Sequence, residues 1–226
     1  MIHGEGDYRY EEIRDWAQLP EGWVFAQVSD AAVDSKGRIY AFTRGVHPIV
    51  VFDKDGNFVT SWGYGDFGIS PNLVSQSHGI FITPDDKVYL TDTFQHIVRR
   101  YDRLGELERE WGTRGVPGPS FHRREYNMPT GVAFAPDGQH FYVSDGYGSR
   151  CVHKYDSNGK HIHVWGEGGG GRISVWSADG ELICRFEDKA AIQSPHGLCV
   201  DHDGNIYVAE IGIEGQGQRL QKFARV

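Results

Sequence analysis

The chain has 226 residues, 39% hydrophobic and 13% aromatic, with 30 glycines and a formal net charge of −8. This balance favours strands joined by tight turns, and the long Ala/Glu/Lys/Leu runs of helical proteins are absent. A nucleic-acid partner, which needs a basic face, is excluded by the charge, and no apolar run approaches the length of a membrane span.

The N-terminal stretch MIHGEGDYRYEEIRDW lacks the apolar core of a signal peptide, so a cytoplasmic location is expected. Residues 8–19, YRYEEIRDWAQL, read as a strand with no partner nearby in sequence. A repeat follows. VSDAAVDSKGRIYAFTR from Val28, SHGIFITPDDKVYLTDT from Ser77, PTGVAFAPDGQHFYVSD from Pro129 and PHGLCVDHDGNIYVAEI from Pro195 share one layout: strand, turn, strand. The recurring Asp34, Asp85, Asp137 and Asp203 fall at those turns, where a short side chain hydrogen-bonds its own backbone. After the first three units come IVVFDKDGNFVTSWG, IVRRYDRLGELEREWG and CVHKYDSNGKHIHVWG, hairpin patterns that end in Trp62-Gly, Trp111-Gly and Trp165-Gly.

Four strands per unit of about 50 residues predict an all-β fold, a β-propeller. The expected blades are 24–63, 75–112 and 128–166, a half blade at 172–187, and a last blade at 194–226 closed by strand 8–19. The half blade, RISVWSADGELICRF, has only a second hairpin, and the tetraglycine Gly168–Gly171 sits at the break. An incomplete ring would leave strand edges that a second copy could pair. Cys151, Cys184 and Cys199 are too few and too widely spaced for a disulfide framework or a CxxC zinc site, and are expected to be packing thiols. The basic cluster His122–Glu125 reads as a solvated loop.

The position just before each innermost strand holds Ser29, His78, Thr130 and His196. Two imidazoles facing one axis could ligate a divalent metal, and capping of strand ends explains them equally simply. The ordered motifs FTRG, SHGI, SDGYGSR and SPHG carry a more specific signal. In them the chain resembles the bacterial relatives of peptidyl-α-hydroxyglycine α-amidating lyase, six-bladed propellers of NHL-type repeats. About four and a half such blades are encoded here.

The resemblance implies a lyase that cleaves the N–C bond of a carbinolamide, releasing an amide and glyoxylate from a small or peptide-like substrate. It implies zinc held by three histidines, of which His78 and His196 match, with Tyr147 as base and Arg44 holding the substrate. Calcium is left open. The third zinc histidine and a second arginine belong to a blade absent here, and Gly197 stands where the family has an aspartate. His47 in RGVHP is a conceivable replacement ligand. The competing reading is a catalytically impaired propeller that binds a ligand or a protein.

Overall fold

The computed structural model describes residues 2–5, 8–11, 13–68, 76–119, 125–166, 172–177, 181–187, 195–200, 206–213 and 216–224. Residues 122–124 of the basic cluster, Asp203 and the Gly168–Gly171 junction lie outside them. The chain divides into two compact units, Met1–Gly166 and Glu167–Val226. Among the described residues every regular element is a strand, and no helix is long and apolar enough to cross a membrane.

The first unit opens with a hairpin of β1 (Ile2–Glu5) and β2 (Tyr8–Glu11). Three four-stranded antiparallel sheets follow: β3 (Val28–Val33) to β6 (Phe58–Trp62) through β4 (Ile39–Thr43) and β5 (Ile49–Phe52); β7 (Ser77–Ile82) to β10 (Leu107–Gly112) through β8 (Val88–Asp92) and β9 (Ile97–Tyr101); and β11 (Gly131–Phe134) to β14 (His161–Trp165) through β12 (His140–Asp145) and β13 (Cys151–Asp156). These are propeller blades, neighbours meeting through their first strands. The second unit contains the pair β15 (Arg172–Trp176) and β16 (Leu182–Glu187). Its other sheet is three-stranded: β17 (Pro195–Val200), β18 (Ile206–Ile213) and β19 (Gln216–Phe223).

The two middle strands of the first blade are covered on both faces, so their sequences are nearly all apolar. IVVF of β5 is buried throughout, whereas LEREWG of the outer strand β10 is mostly exposed. The cores lie between blades. Tyr40, Phe42, Val51, Val88 and Leu90 fill the space between the first two; Tyr89, Trp111, Phe141, Val143 and Tyr155 fill that between the second and third.

Outer hairpin turns give each blade a second attachment. Asp53, Asp102 and Asp156 accept backbone N–H bonds from the residue four ahead, closing the D-x-x-G turns. The glycine of each turn has positive φ and meets a tryptophan of the preceding segment. A Cβ on Gly105 would lie 2.6 Å from the Trp62 ring, and one on Gly159 2.6 Å from the Trp111 ring. Trp111 Nε1 also donates to the Gly159 carbonyl at 3.0 Å. Gly56 differs: a Cβ there would meet the backbone carbonyl of Trp16 before its ring.

The segment expected as a ring-closing strand over 8–19 is strand only at Tyr8–Glu11, where it pairs with Ile2–Glu5. Residues 13–19 run beside the first blade through one parallel bridge, Gln18 to Asn57. The inner turns are built as expected at Asp34 and Asp137, whose carboxylates accept N–H bonds within their own turns. In the second blade the neighbouring Asp86 adopts φ 64° and reaches across to the N–H and hydroxyl of Ser35.

Alanine at Gly105 would combine that φ of 89° with a clash on Trp62. Gly105→Ala is therefore expected to lower stability by about 1–3 kcal/mol, read from the urea midpoint. Burial alone would raise the Asp34 carboxyl, but hydrogen bonds from Arg38 and Lys36, with the Arg38 charge, hold it below its ordinary value. Its contribution to stability is thus complete above about pH 3.9, the unfolded value, and lost as pH falls through the lower folded one. Urea titrations over that acid range should show a flatter pH dependence in Asp34→Asn.

Candidate functional site

The site is built where β7 enters its sheet. Ser77 Oγ donates to the Thr43 carbonyl at 2.6 Å, tying this strand to the first blade. Gly79 lets it approach the third: a Cβ there would lie 2.5 Å from the Thr130 carbonyl oxygen. His78, between them, has Nδ1 2.8 Å from that same oxygen. A carbonyl only accepts, so Nδ1 carries the hydrogen, and in the neutral ring Nε2 is the acceptor. Tyr147 Oη lies 3.0 Å from Nε2 and donates to it, with the two rings edge-to-face at 5.5 Å.

Tyr147 is 48% exposed and sits on the turn between β12 and β13. The flanking glycines of SDGYGSR have separate reasons. Gly146 packs on the Thr130 side chain, while Gly148 donates to the Asn127 carbonyl and has no room for a Cβ. Arg44, after β4, donates from Nε to the Ser77 carbonyl at 3.2 Å and from Nη1 to Gln27 Oε1 at 3.1 Å.

Arg44, His78 and Tyr147, from three blades, thus converge at one end of the first unit. His196 is the second residue of β17, the strand position that His78 has in β7, and its side chain lies outside the described residues. Ser29 and His78 also lie within their strands, where the sequence predicted positions just before them; Thr130 alone precedes its strand. Ser29 Oγ donates to the Phe42 carbonyl. His47 stacks on Trp23 with ring centroids 3.3 Å apart. His78 has the bearing of a metal ligand, its Nδ1–H anchored on a backbone carbonyl and Nε2 presented. Among the described residues it is the one imidazole of the expected zinc set that can be placed.

A second constellation escaped the sequence reading. Asp145, Cys151 and His153 bring one potential ligand atom each to within 4.8 Å of one another. Cys151 Sγ lies 3.3 Å from His153 Nε2, and Asp145 Oδ2 lies 3.7 Å from that nitrogen. The available signal was Cys-Val-His on one strand, since alternate residues share a face. The expectation of three packing thiols also fails at Cys184, which is exposed. Cys151 is buried, and burial, with the Asp145 charge, pushes its thiol up to about 12.

No family model matches the chain. It is 26% identical over 219 residues to human NHL repeat-containing protein 3, covering 92% of this chain and 54% of that protein. It is 27% identical over 222 residues to the probable peptidyl-α-hydroxyglycine α-amidating lyase of Caenorhabditis elegans, covering 88% and 55%. The chain is a β-propeller related to NHL-repeat proteins and amidating lyases. It spans about half the length of these curated relatives. Virginiamycin B lyase from Staphylococcus aureus superposes with a TM-score of 0.61 at 17% identity, covering 87% of this chain and 69% of that one, and shares the fold.

In native protein at pH 8, iodoacetamide is expected to label Cys184 and to leave Cys151 unmodified, as mapped by peptide mass spectrometry, because the thiolate is the reacting form.

Proposed function

We propose that this chain is a propeller lyase that cleaves the N–C bond of an α-hydroxyglycine amide, with Tyr147 as proton carrier, Arg44 as carboxylate anchor and His78 as the group that positions Tyr147. The observation that supports this most is the His78–Tyr147 hydrogen bond, made at the end of the blades where Arg44 also arrives. The amidating lyase among its relatives supports the reaction class.

In this reaction the bond between the amide nitrogen and the hydroxyl-bearing carbon breaks, and its electron pair goes to nitrogen. The hydroxyl oxygen becomes the aldehyde oxygen of glyoxylate, and the hydroxyl proton is delivered, net, to the nitrogen. One group must therefore take a proton and return it. The half-exposed Tyr147 hydroxyl can do both: its oxygen takes the substrate proton as its own hydrogen passes to the acceptor Nε2 of His78, and the reverse transfer lets it deliver a proton to the nitrogen. Arg44 offers a planar, permanently charged donor suited to the carboxylate of the substrate.

Zinc held by His78 would supply Lewis acidity that makes the substrate hydroxyl easier to deprotonate, in place of the hydrogen bond that Nε2 accepts from Tyr147. The anchored Nδ1–H of His78 suits that role as well as the present one.

Incubation with an α-hydroxyglycine-extended peptide and zinc is expected to release glyoxylate and the peptide amide in equal amounts. Tyr147→Phe should reduce kcat by about 10²–10⁴-fold, while Arg44→Ala should act mainly on KM. A folded, zinc-supplied protein that releases no glyoxylate defeats the proposal and leaves a binding propeller.

A further inference from the structure

The second and third blades solve the same problem differently. Asp92 ends β8 opposite Ile97, and Asp145 ends β12 opposite Cys151, so the two carboxylates hold equivalent places. Both are buried. Asp92 is satisfied: Oδ1 accepts the N–H groups of Phe94 and Gln95, and Oδ2 that of Gly68. Two residues beyond its cross-strand partner stands Arg99, itself buried, whose charge acts on Asp92. In the third blade Asp145 Oδ2 accepts the Asn127 N–H at 2.7 Å, but Oδ1 is buried with no hydrogen-bond partner. The Arg99 position is taken by His153, which has no permanent charge, and the Ile97 position by Cys151. The turn between Asp145 and Cys151 also contains a buried, unpartnered hydroxyl, Ser149 Oγ.

A buried carboxylate oxygen without a donor is costly, and such an atom in a folded protein calls for an ion or water. The groups beside this carboxylate are a thiol and an imidazole. His153 Nδ1 lies 3.3 Å from His161 Nε2; a hydrogen there, donated to His161, leaves His153 Nε2 with its electron pair toward Cys151 and Asp145. A metal-binding histidine is usually oriented by a hydrogen bond at its other nitrogen in this way. Ligand atoms around a tetrahedral zinc, with bonds of about 2.0–2.3 Å, lie about 3.3–3.7 Å apart. The Sγ–Nε2 and Nε2–Oδ2 separations here are 3.3 and 3.7 Å. Mixed sulfur, nitrogen and oxygen donors select a zinc-class ion over calcium or magnesium.

We propose that Asp145, Cys151 and His153 bind one zinc-class divalent cation at the neck of the turn that carries Tyr147. Asp145 and Cys151 are the last cross-strand pair before that turn. A cation shared between them clips the turn shut and supplies the charge that Arg99 supplies one blade earlier. The site is separate from the His78 site and does not depend on the lyase reading.

Cobalt(II) tests it, because a thiolate ligand gives a ligand-to-metal charge-transfer band in the near ultraviolet that a histidine-only site lacks. Metal-stripped protein titrated with cobalt(II) is expected to develop this band with one equivalent. The band should survive in His78→Ala and in the Cys184→Ser/Cys199→Ser double variant, and vanish in Cys151→Ser. Asp145→Asn, nearly isosteric, should bind zinc at least about tenfold more weakly. Saturating zinc should raise the wild-type Tm by about 5 °C. Folded wild-type protein that shows no thiolate band at saturating cobalt, or a band that persists in Cys151→Ser, overturns the proposal. If Cys151→Ser does not fold, the wild-type band and the Asp145→Asn affinity decide it. Loss of glyoxylate release with the band intact counts against the lyase reading alone.

Discussion

The contact on which the candidate site depends is a backbone approach, not a side-chain bond. Gly79 lies so close to the Thr130 carbonyl that no other residue fits without moving the strand. That closeness places the carbonyl within reach of His78 Nδ1, and this bond in turn sets the tautomer of the ring. Only then does Nε2 become an acceptor for Tyr147, whose turn leaves the adjacent strand β12. The hydroxyl of Ser77 holds the same strand from the other side, through the Thr43 carbonyl. Arg44, next in the chain, then bonds the Ser77 carbonyl. One tripeptide, Ser77-His78-Gly79, therefore registers three blades against each other.

Farther out, the blades are registered by tryptophan on glycine. Trp62 and Trp111, which end the first two blades, fill the space beside turns whose geometry already requires glycine. One residue type thus meets two demands, a positive φ and a close neighbour. Gly56 meets the backbone carbonyl of Trp16 instead, which attaches the N-terminal segment to the first blade. The inner turns add Asp34 with Arg38 and Asp86 with Ser35, the second of these joining the first two blades.

Equivalent positions in repeated blades also show where one blade departs from the pattern. The buried aspartate at the end of the second strand is kept in the second and third blades, while its surroundings change from three backbone donors and an arginine to one backbone donor, a cysteine and a histidine. A carboxylate buried in both settings needs compensation in both. In the third blade a cation that bridges Asp145, Cys151 and His153 would meet that need and steady the turn that presents Tyr147.

The repeat, the four-strand unit and its hairpins were legible in the sequence, because alternation, turn glycines and terminal tryptophans are local signals with fixed spacing. Arg44, His78 and Tyr147 were legible as motif positions, through resemblance rather than through spacing. Their meeting at one end, the tautomer of His78 and the pairing of Tyr8–Glu11 with Ile2–Glu5 were decided by tertiary structure. So was the polar cluster around Cys151, which the sequence presents as an ordinary alternating strand. The physical reason is common to these cases. A strand pattern states which face a residue occupies, but burial, the neighbouring blade and the partner of each buried polar atom are set only when the sheets pack.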